Sequence, residues 1–308
     1  MHIPDGMLDT KTWVTAWIGS AGILGFAARE VRRRLTDARV VLMAVLAALI
    51  FALQMLNFPV AGGTSGHFAG GAAAAIVLGP WPAAIVMASV LGVQAIFFAD
   101  GGITAFGANA LTMAIVSPLI GWVVYRWFTS VSDRRGTRLV GAFAAAWSAC
   151  TSAALVAALM LWISGRADLL PVAGAMGFWH AIIGIGEGVI TAGLVGYLHA
   201  IRPDLLAENR EADASAVRGP ALTLGAVAIC AAALSFLASA SPDGLEHVYE
   251  QLGRPFGEIA LLSSPMPDYV VPGLGNETLA GVLAGVVGVI VTGGLLYALT
   301  QALRARRA

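Results

Sequence analysis

Charge is what this sequence has least of. Asp, Glu, Lys and Arg make up only 12% of its 308 residues, against 58% hydrophobic residues, about half the usual charge density of a soluble domain, which is about 25%. A soluble globule of that composition has too little polar surface, so the chain is expected to live in a membrane. Cysteine is nearly missing as well. Cys150 and Cys230 stand mid-way along apolar runs without CxxC spacing, which excludes a disulfide framework and a thiolate metal cluster. Net charge is zero, eighteen bases against eighteen acids, and this argues against a polybasic binder of nucleic acid or lipid surfaces. Neither a GxxxxGK[ST] loop nor HExxH occurs, so ATP has to be handled by other chains and an intramembrane metalloprotease is disfavoured.

Long apolar runs are abundant. They fall near 13–28, 40–57, 67–79, 83–98, 106–125, 139–163, 174–198, 220–240 and 278–300, and a helix needs about 20 such residues to cross a bilayer core of about 30 Å. The expected fold is an all-α polytopic membrane protein. A seven-helix module occupies 1–200 and a cytoplasmic linker 201–219. A two-span accessory segment, 220–308, has its helices flanking an external stretch, 241–277. The third run, at about 1.5 Å per residue, covers about 20 Å and predicts a half-span starting at membrane depth. Pro80 and Pro82 lack the amide donor a continuing helix needs, so they break the chain before the fourth span.

Arginine sets the orientation. Arg29, Arg32, Arg33, Arg34, Arg39, Arg126, Arg134, Arg135, Arg138, Arg202, Arg210, Arg218, Arg304, Arg306 and Arg307 fall on one side, and Lys11, Arg166 and Arg254 on the other. The positive-inside rule makes the first side cytoplasmic, with the N-terminus outside and the C-terminus inside an inner (cytoplasmic) membrane. Counted this way, cytoplasmic segments hold fifteen bases and seven acids, +8. External segments hold three bases and ten acids, −7, and Glu187 lies within a span. The zero is a cancellation between faces, and the acidic outer face attracts cations.

The chain opens Met1-His2-Ile3-Pro4-Asp5-Gly6, without the basic region of a secretory signal, so the N-terminus is expected to persist. Methionine before a bulky residue is normally retained. A free amine one residue from an imidazole forms a chelate: the amine, the deprotonated His2 amide and the His2 ring nitrogen close fused rings that put three nitrogens in one plane. Pro4 stiffens the exit and Gly6 permits a sharp turn back into the bundle. A fourth nitrogen is offered by His67, in Gly62-Gly63-Thr64-Ser65-Gly66-His67-Phe68, on the same outer side. Planar all-nitrogen coordination suits Ni(II) or Cu(II), whereas the converging carboxylates of Mg or Ca sites are missing. The plain alternative is a disordered tail histidine and a Gly-rich connector.

At these residues the sequence resembles the cobalt/nickel substrate-binding membrane component of energy-coupling factor transporters, the CbiM/NikM family. The resemblance rests on Met1 to Gly6 and on Val60-Ala61-Gly62-Gly63-Thr64-Ser65-Gly66-His67 through Gly71, and covers about 1–200. Residues 241–300, with Pro242-Asp243-Gly244-Leu245-Glu246, resemble the family's small accessory component with its PDGLE motif. That fusion, together with Ile3-Pro4-Asp5-Gly6, is similar to the nickel branch. The resemblance implies Ni(II) or Co(II) as transported substrate, held by the Met1 amine, the His2 amide and ring, and His67. It also implies a transmembrane scaffold partner and two cytoplasmic ATPase subunits. The alternatives are a cobalt-specific component serving cobalamin synthesis, a membrane-embedded metalloenzyme, and an assembly protein without a ligand.

Around the ligands, Asp5, Ser65, Asn109, His180 and Glu187 are candidate supporting groups. Asn109 is placed to hydrogen-bond the N-terminal tip or simply to cap a helix. His180 and Glu187, seven apart on one helix face, are expected to be structural, with Glu187 taking hydrogen bonds inside the bundle and His180 acting as a partner near the outer end. Asp100, before Gly101-Gly102, reads as a solvated turn acid. Asp243 is the expected cap of a short amphipathic helix with Leu245, Val248 and Leu252 on one face, laid over the outer mouth, where it orders the loops or helps load the metal. Gly184xxxGly188 and Gly281xxxGly285 mark close helix contacts.

Overall fold

The computed structural model describes residues 1–206, 214–254, 259 and 261–305. Arg210, Arg306 and Arg307, and the middle of the linker, lie outside the described residues. The elements in order are α1 (Thr10–Arg34), α2 (Asp37–Met55), β1 (Phe58–Val60), β2 (Thr64–Gly66), α3 (Gly71–Leu78), α4 (Pro80–Phe97), α5 (Phe106–Asn109) and α6 (Ser117–Val131). They continue with α7 (Arg135–Ile163), α8 (Leu169–Ile201), α9 (Ala214–Ala233), α10 (Gly244–Gln251) and α11 (Glu277–Ala305). Among the described residues, six helices are long and apolar enough to cross a membrane: α2, α4, Phe106–Val131, α7, α8 and α11. The protein is an all-α, multi-pass membrane protein. Large apolar side chains such as Trp127, Leu170, Leu222 and Ile290 are exposed on its surface, as a lipid-facing wall requires.

Local chemistry accounts for the ends of these helices. The Asp9 carboxylate accepts the Thr12 amide at the start of α1, and Arg32, Arg33 and Arg34 occupy its last turn, where the helix dipole favours cations. Pro80 stands at the first position of α4, where its missing N–H costs nothing. Residues 110–116 form a π turn joining α5 to α6, a feature with no periodic signature in the sequence.

The short α3 sits at the centre. Its eight residues, Gly-Ala-Ala-Ala-Ala-Ile-Val-Leu, are all buried, and it touches α2, α4, α6, α7 and α8. The half-span is shorter than the expected 67–79. Gly70 takes a left-handed conformation, φ 80°, and its N–H donates to Glu187 Oε1 at 3.0 Å, so residues 67–70 stay outside the helix, which begins only at Gly71. His67 therefore precedes the helix rather than opening it.

Small residues set the helix crossings. A Cβ on Gly188 would fall 2.6 Å from the Phe143 ring, and one on Gly184 3.1 Å from Trp147, so α8 lies directly against α7. Gly285 faces Met55 and Ala232 in the same way, seating α11 between α2 and α9.

Residues 58–66 form an antiparallel hairpin, pairing Phe58 with Gly66, Pro59 with Ser65 and Val60 with Thr64. Strands of three residues are too short to show alternation.

Candidate metal centre at the N-terminus

The first seven residues are threaded into the protein. Ile3 is fully buried. Its N–H donates to Asn109 Oδ1 at 2.8 Å and its carbonyl accepts from Asn109 Nδ2 at 3.0 Å. Asp5 accepts the amides of Ile103 (3.0 Å) and Thr104 (2.7 Å) as well as the Thr104 hydroxyl. Gly102 N–H returns a bond to the Ile3 carbonyl at 2.9 Å. Only glycine fits there, because a Cβ on residue 102 would lie 2.3 Å from the Asp5 nitrogen. Arg166 then closes the turn by donating to the carbonyls of Gly6 and Met7.

This threading delivers the terminal amine to His67. Met1 N stands 2.9 Å from His67 Nε2, and the His2 and His67 rings stack with centroids 5.4 Å apart. Two nitrogens each about 2.0 Å from one ion, at right angles, are about 2.8 Å apart, so the amine and His67 already have the separation of neighbouring planar ligands. The amine also donates to Asp243 Oδ2 at 2.6 Å. His2 Nδ1 lies 3.0 Å from Asp100 Oδ1, and Asp100 Oδ2 accepts the Tyr269 hydroxyl at 2.5 Å. His2 Nε2 and His67 Nδ1 are buried without a hydrogen-bond partner. Beside both rings opens a polar cavity of about 420 Å³ whose lining includes Asp100, Asp243, Glu246 and Asp268.

Both flanking carboxylates are held ionised. Burial alone would raise the Asp243 pKa, but the terminal ammonium, by its charge and its hydrogen bond, brings it well below the usual carboxylate range. Asp100 behaves alike: burial opposes its charge, and His2 together with the Tyr269 hydroxyl reverses that effect.

The candidate residues divide by what they touch. Met1, His2 and His67 meet at one place. Asn109 and Asp5 hold the N-terminal strand, and Ser65 ties β2 to the accessory segment by donating its N–H to the Pro242 carbonyl at 2.8 Å. His180 and Glu187 do not partner each other. The His180 Nδ1 pairs with the Met176 carbonyl at 2.9 Å, while Glu187 turns to Gly70 as described. Asp100 is not a solvated turn acid: its side chain is only 26% exposed and faces His2, because the turn folds under residues 267–269. Asp243 does cap α10, with a full capping box to Glu246. Its bond to the amine, and the part of Tyr269, have no local signal in the sequence.

Among the described residues, no three His, Cys, Asp or Glu side chains converge to hold a metal ion; the Met1 amine is a further nitrogen beside the two rings. Comparison with known proteins bears on the same region. The family model described as "Cobalt uptake substrate-specific transmembrane region" matches residues 2–205, and the PDGLE domain matches 218–305. The chain is 41% identical to a putative fused nickel transport protein, NikMN, of Archaeoglobus fulgidus, over 98% of both chains. It is 35% identical to the fused nickel transport protein NikMN of Rhodobacter capsulatus, over 99% of both. A crystal structure of a truncated transition metal transporter superposes with a TM-score of 0.59 at 34% identity, over 65% of this chain and 99% of the other. The chain thus belongs to the CbiM family of substrate-specific transmembrane proteins, with a PDGLE domain joined at its C-terminal end.

Proposed function

We propose that this protein is the substrate-capture subunit of an ATP-driven energy-coupling factor importer for Ni(II) or Co(II), with nickel preferred. The observation that carries this is the 2.9 Å approach of the Met1 amine to His67 Nε2 beside the His2 ring. A cation reaches the pair through the acidic cavity and takes the place of the hydrogen bond between them. The His2 ring leaves Asp100 to supply a third nitrogen, and the deprotonated His2 amide supplies the fourth. Planarity selects: four nitrogens in a plane suit Ni(II), while Zn(II) prefers a tetrahedron. Nickel over cobalt is supported by two relatives that match nearly the whole chain, both named for nickel.

A transmembrane scaffold subunit and two cytoplasmic ATPase subunits drive release to the inside. This is supported by family membership and by a sequence without a P-loop. The arginine distribution supports an external N-terminus and a cytoplasmic C-terminus. The two family matches support the division into a module over 1–200, read as seven-span from its apolar runs, and an accessory segment over 220–308.

Equilibrium titration of the purified protein with Ni(II), Co(II), Cu(II) and Zn(II) tests the site, comparing the chain as it is with one extended by a few residues before Met1. The extended chain is expected to lose Ni(II) binding. Equal affinity in both would overturn the terminal-amine chelate.

A further inference from the structure

Asp243 has both carboxylate oxygens engaged. Its Oδ1 accepts the amides of Leu245 (2.7 Å) and Glu246 (3.0 Å), and its Oδ2 accepts the Met1 ammonium at 2.6 Å. The carboxylate cannot swing away from the amine without uncapping α10. The turn that carries it is fixed to the strand leading to His67: the Pro242 carbonyl accepts Ser65 N–H, and the Ser65 hydroxyl donates to the Ser241 carbonyl at 2.8 Å. Gly244 rests on His180, so close that a Cβ would fall 2.8 Å from the imidazole Cε1. Amine, His67 and Asp243 are therefore held as one unit.

A second hold comes from residues 267–269. The Tyr269 hydroxyl donates to Asp100 and accepts from Gln94 Nε2 at 3.1 Å, while its ring stacks on Phe98 with centroids 4.8 Å apart. Asp100, pinned this way, faces the His2 ring. Each N-terminal residue that bears a candidate ligand is thus gripped by a different side chain from the C-terminal segment, one directly and one through Asp100.

We infer that the accessory segment completes the metal site, with Asp243 positioning the Met1 amine and Tyr269, through Asp100, positioning the His2 ring. This rests on Met1 and His2 being ligands, and it adds a division of labour on loading. A coordinated amine still carries two hydrogens, so the Asp243 bond survives when the ion displaces the bond to His67. The Asp100 bond to His2 is the one that must be given up. Asp243 is a permanent guide and Asp100 a temporary rest, and such outer partners typically contribute about 10–100-fold to metal affinity.

The test uses the full chain in lipid nanodiscs. Asp243→Asn keeps a good helix cap but turns an amide N–H₂ toward the ammonium. Without metal, hydrogen exchange of residues 1–8 is expected to quicken about tenfold or more while α10 stays protected. With Ni(II), release to a chelator is expected to quicken about tenfold or more, with the nickel absorption band unmoved because the ligands are the same. Unchanged exchange and release, with α10 protected, would overturn the inference. If α10 loses protection, Tyr269→Phe decides, since it removes only the hydroxyl on Asp100: faster exchange of residues 1–8 supports the inference and unchanged exchange overturns it. The exchange measurement needs no metal, so its outcome is separable from that of the extended-chain titration.

Discussion

Asn109 brackets Ile3, accepting its N–H at 2.8 Å and donating to its carbonyl at 3.0 Å, as a neighbouring strand would. Asn109→Ala leaves the buried Ile3 N–H unpaired, at a cost of about 1–3 kcal/mol, and leaves the Ile3 carbonyl with the Gly102 bond alone. The N-terminal strand is expected to detach before the bundle unfolds. Equilibrium titration should show Ni(II) affinity reduced at least about tenfold, with little change in the circular dichroism of the helices.

His67→Ala removes the nitrogen that faces the amine. The affinity for Ni(II) is expected to fall at least about 100-fold, about 3 kcal/mol, as read by competition with a chelator of known strength. Retention of wild-type affinity would place the ion elsewhere.

Gly102→Ala sets a methyl group 2.3 Å from the Asp5 nitrogen and 2.4 Å from its Oδ1. Gly19→Ala, in α1 with nothing within 4 Å, is the matched control. The first substitution is expected to weaken metal binding by at least about tenfold through the displaced N-terminus. The second should leave binding unchanged and is expected to raise the melting temperature slightly, since alanine is favoured over glycine in a helix by about 1 kcal/mol.

Glu187 accepts the amide of Gly70 at the entrance to α3. Glu187→Gln preserves an acceptor and is expected to melt near the wild type. Glu187→Leu strands a buried N–H, at a cost of about 1–3 kcal/mol, and should melt several degrees lower in the same detergent. Equal melting of the two variants would show that this bond does not hold the half-span in place.

The membrane fold was legible because its determinants are local. Runs of apolar residues, proline at the break before α4 and the capping pattern of Asp243 with Glu246 are written within a few positions of where they act. That Met1, His2 and His67 meet at one place was legible from the chelating pair of amine and imidazole together with the two motifs that carry the resemblance. What stayed hidden depends on distance along the chain. Nothing near Asp100 announces Tyr269, 169 residues away, and a turn acid before two glycines looks the same whether water or a histidine covers it. The hairpin at 58–66 escaped because three-residue strands carry no period. The π turn in the helix from Phe106 to Val131 depends on packing against α1, α4 and α7, which a one-dimensional pattern does not encode. His180 and Glu187 share a helix face as their spacing predicts, yet Glu187 turns to the Gly70 amide before α3 and His180 to the Met176 carbonyl of its own helix. Spacing along a helix fixes direction but not partner.

The bond between Met1 and Asp243 joins residues 242 positions apart, and that separation sets an order of events at the ribosome. At about 5–20 residues per second, roughly 12–50 s pass between synthesis of the first residue and of its carboxylate partner. Throughout that interval the N-terminal nitrogens have no partner from the second half of the chain. A nascent chain is therefore built with its N-terminal cluster unfinished, and only once Asp243 has been made does it become able to hold the N-terminus as the folded protein does.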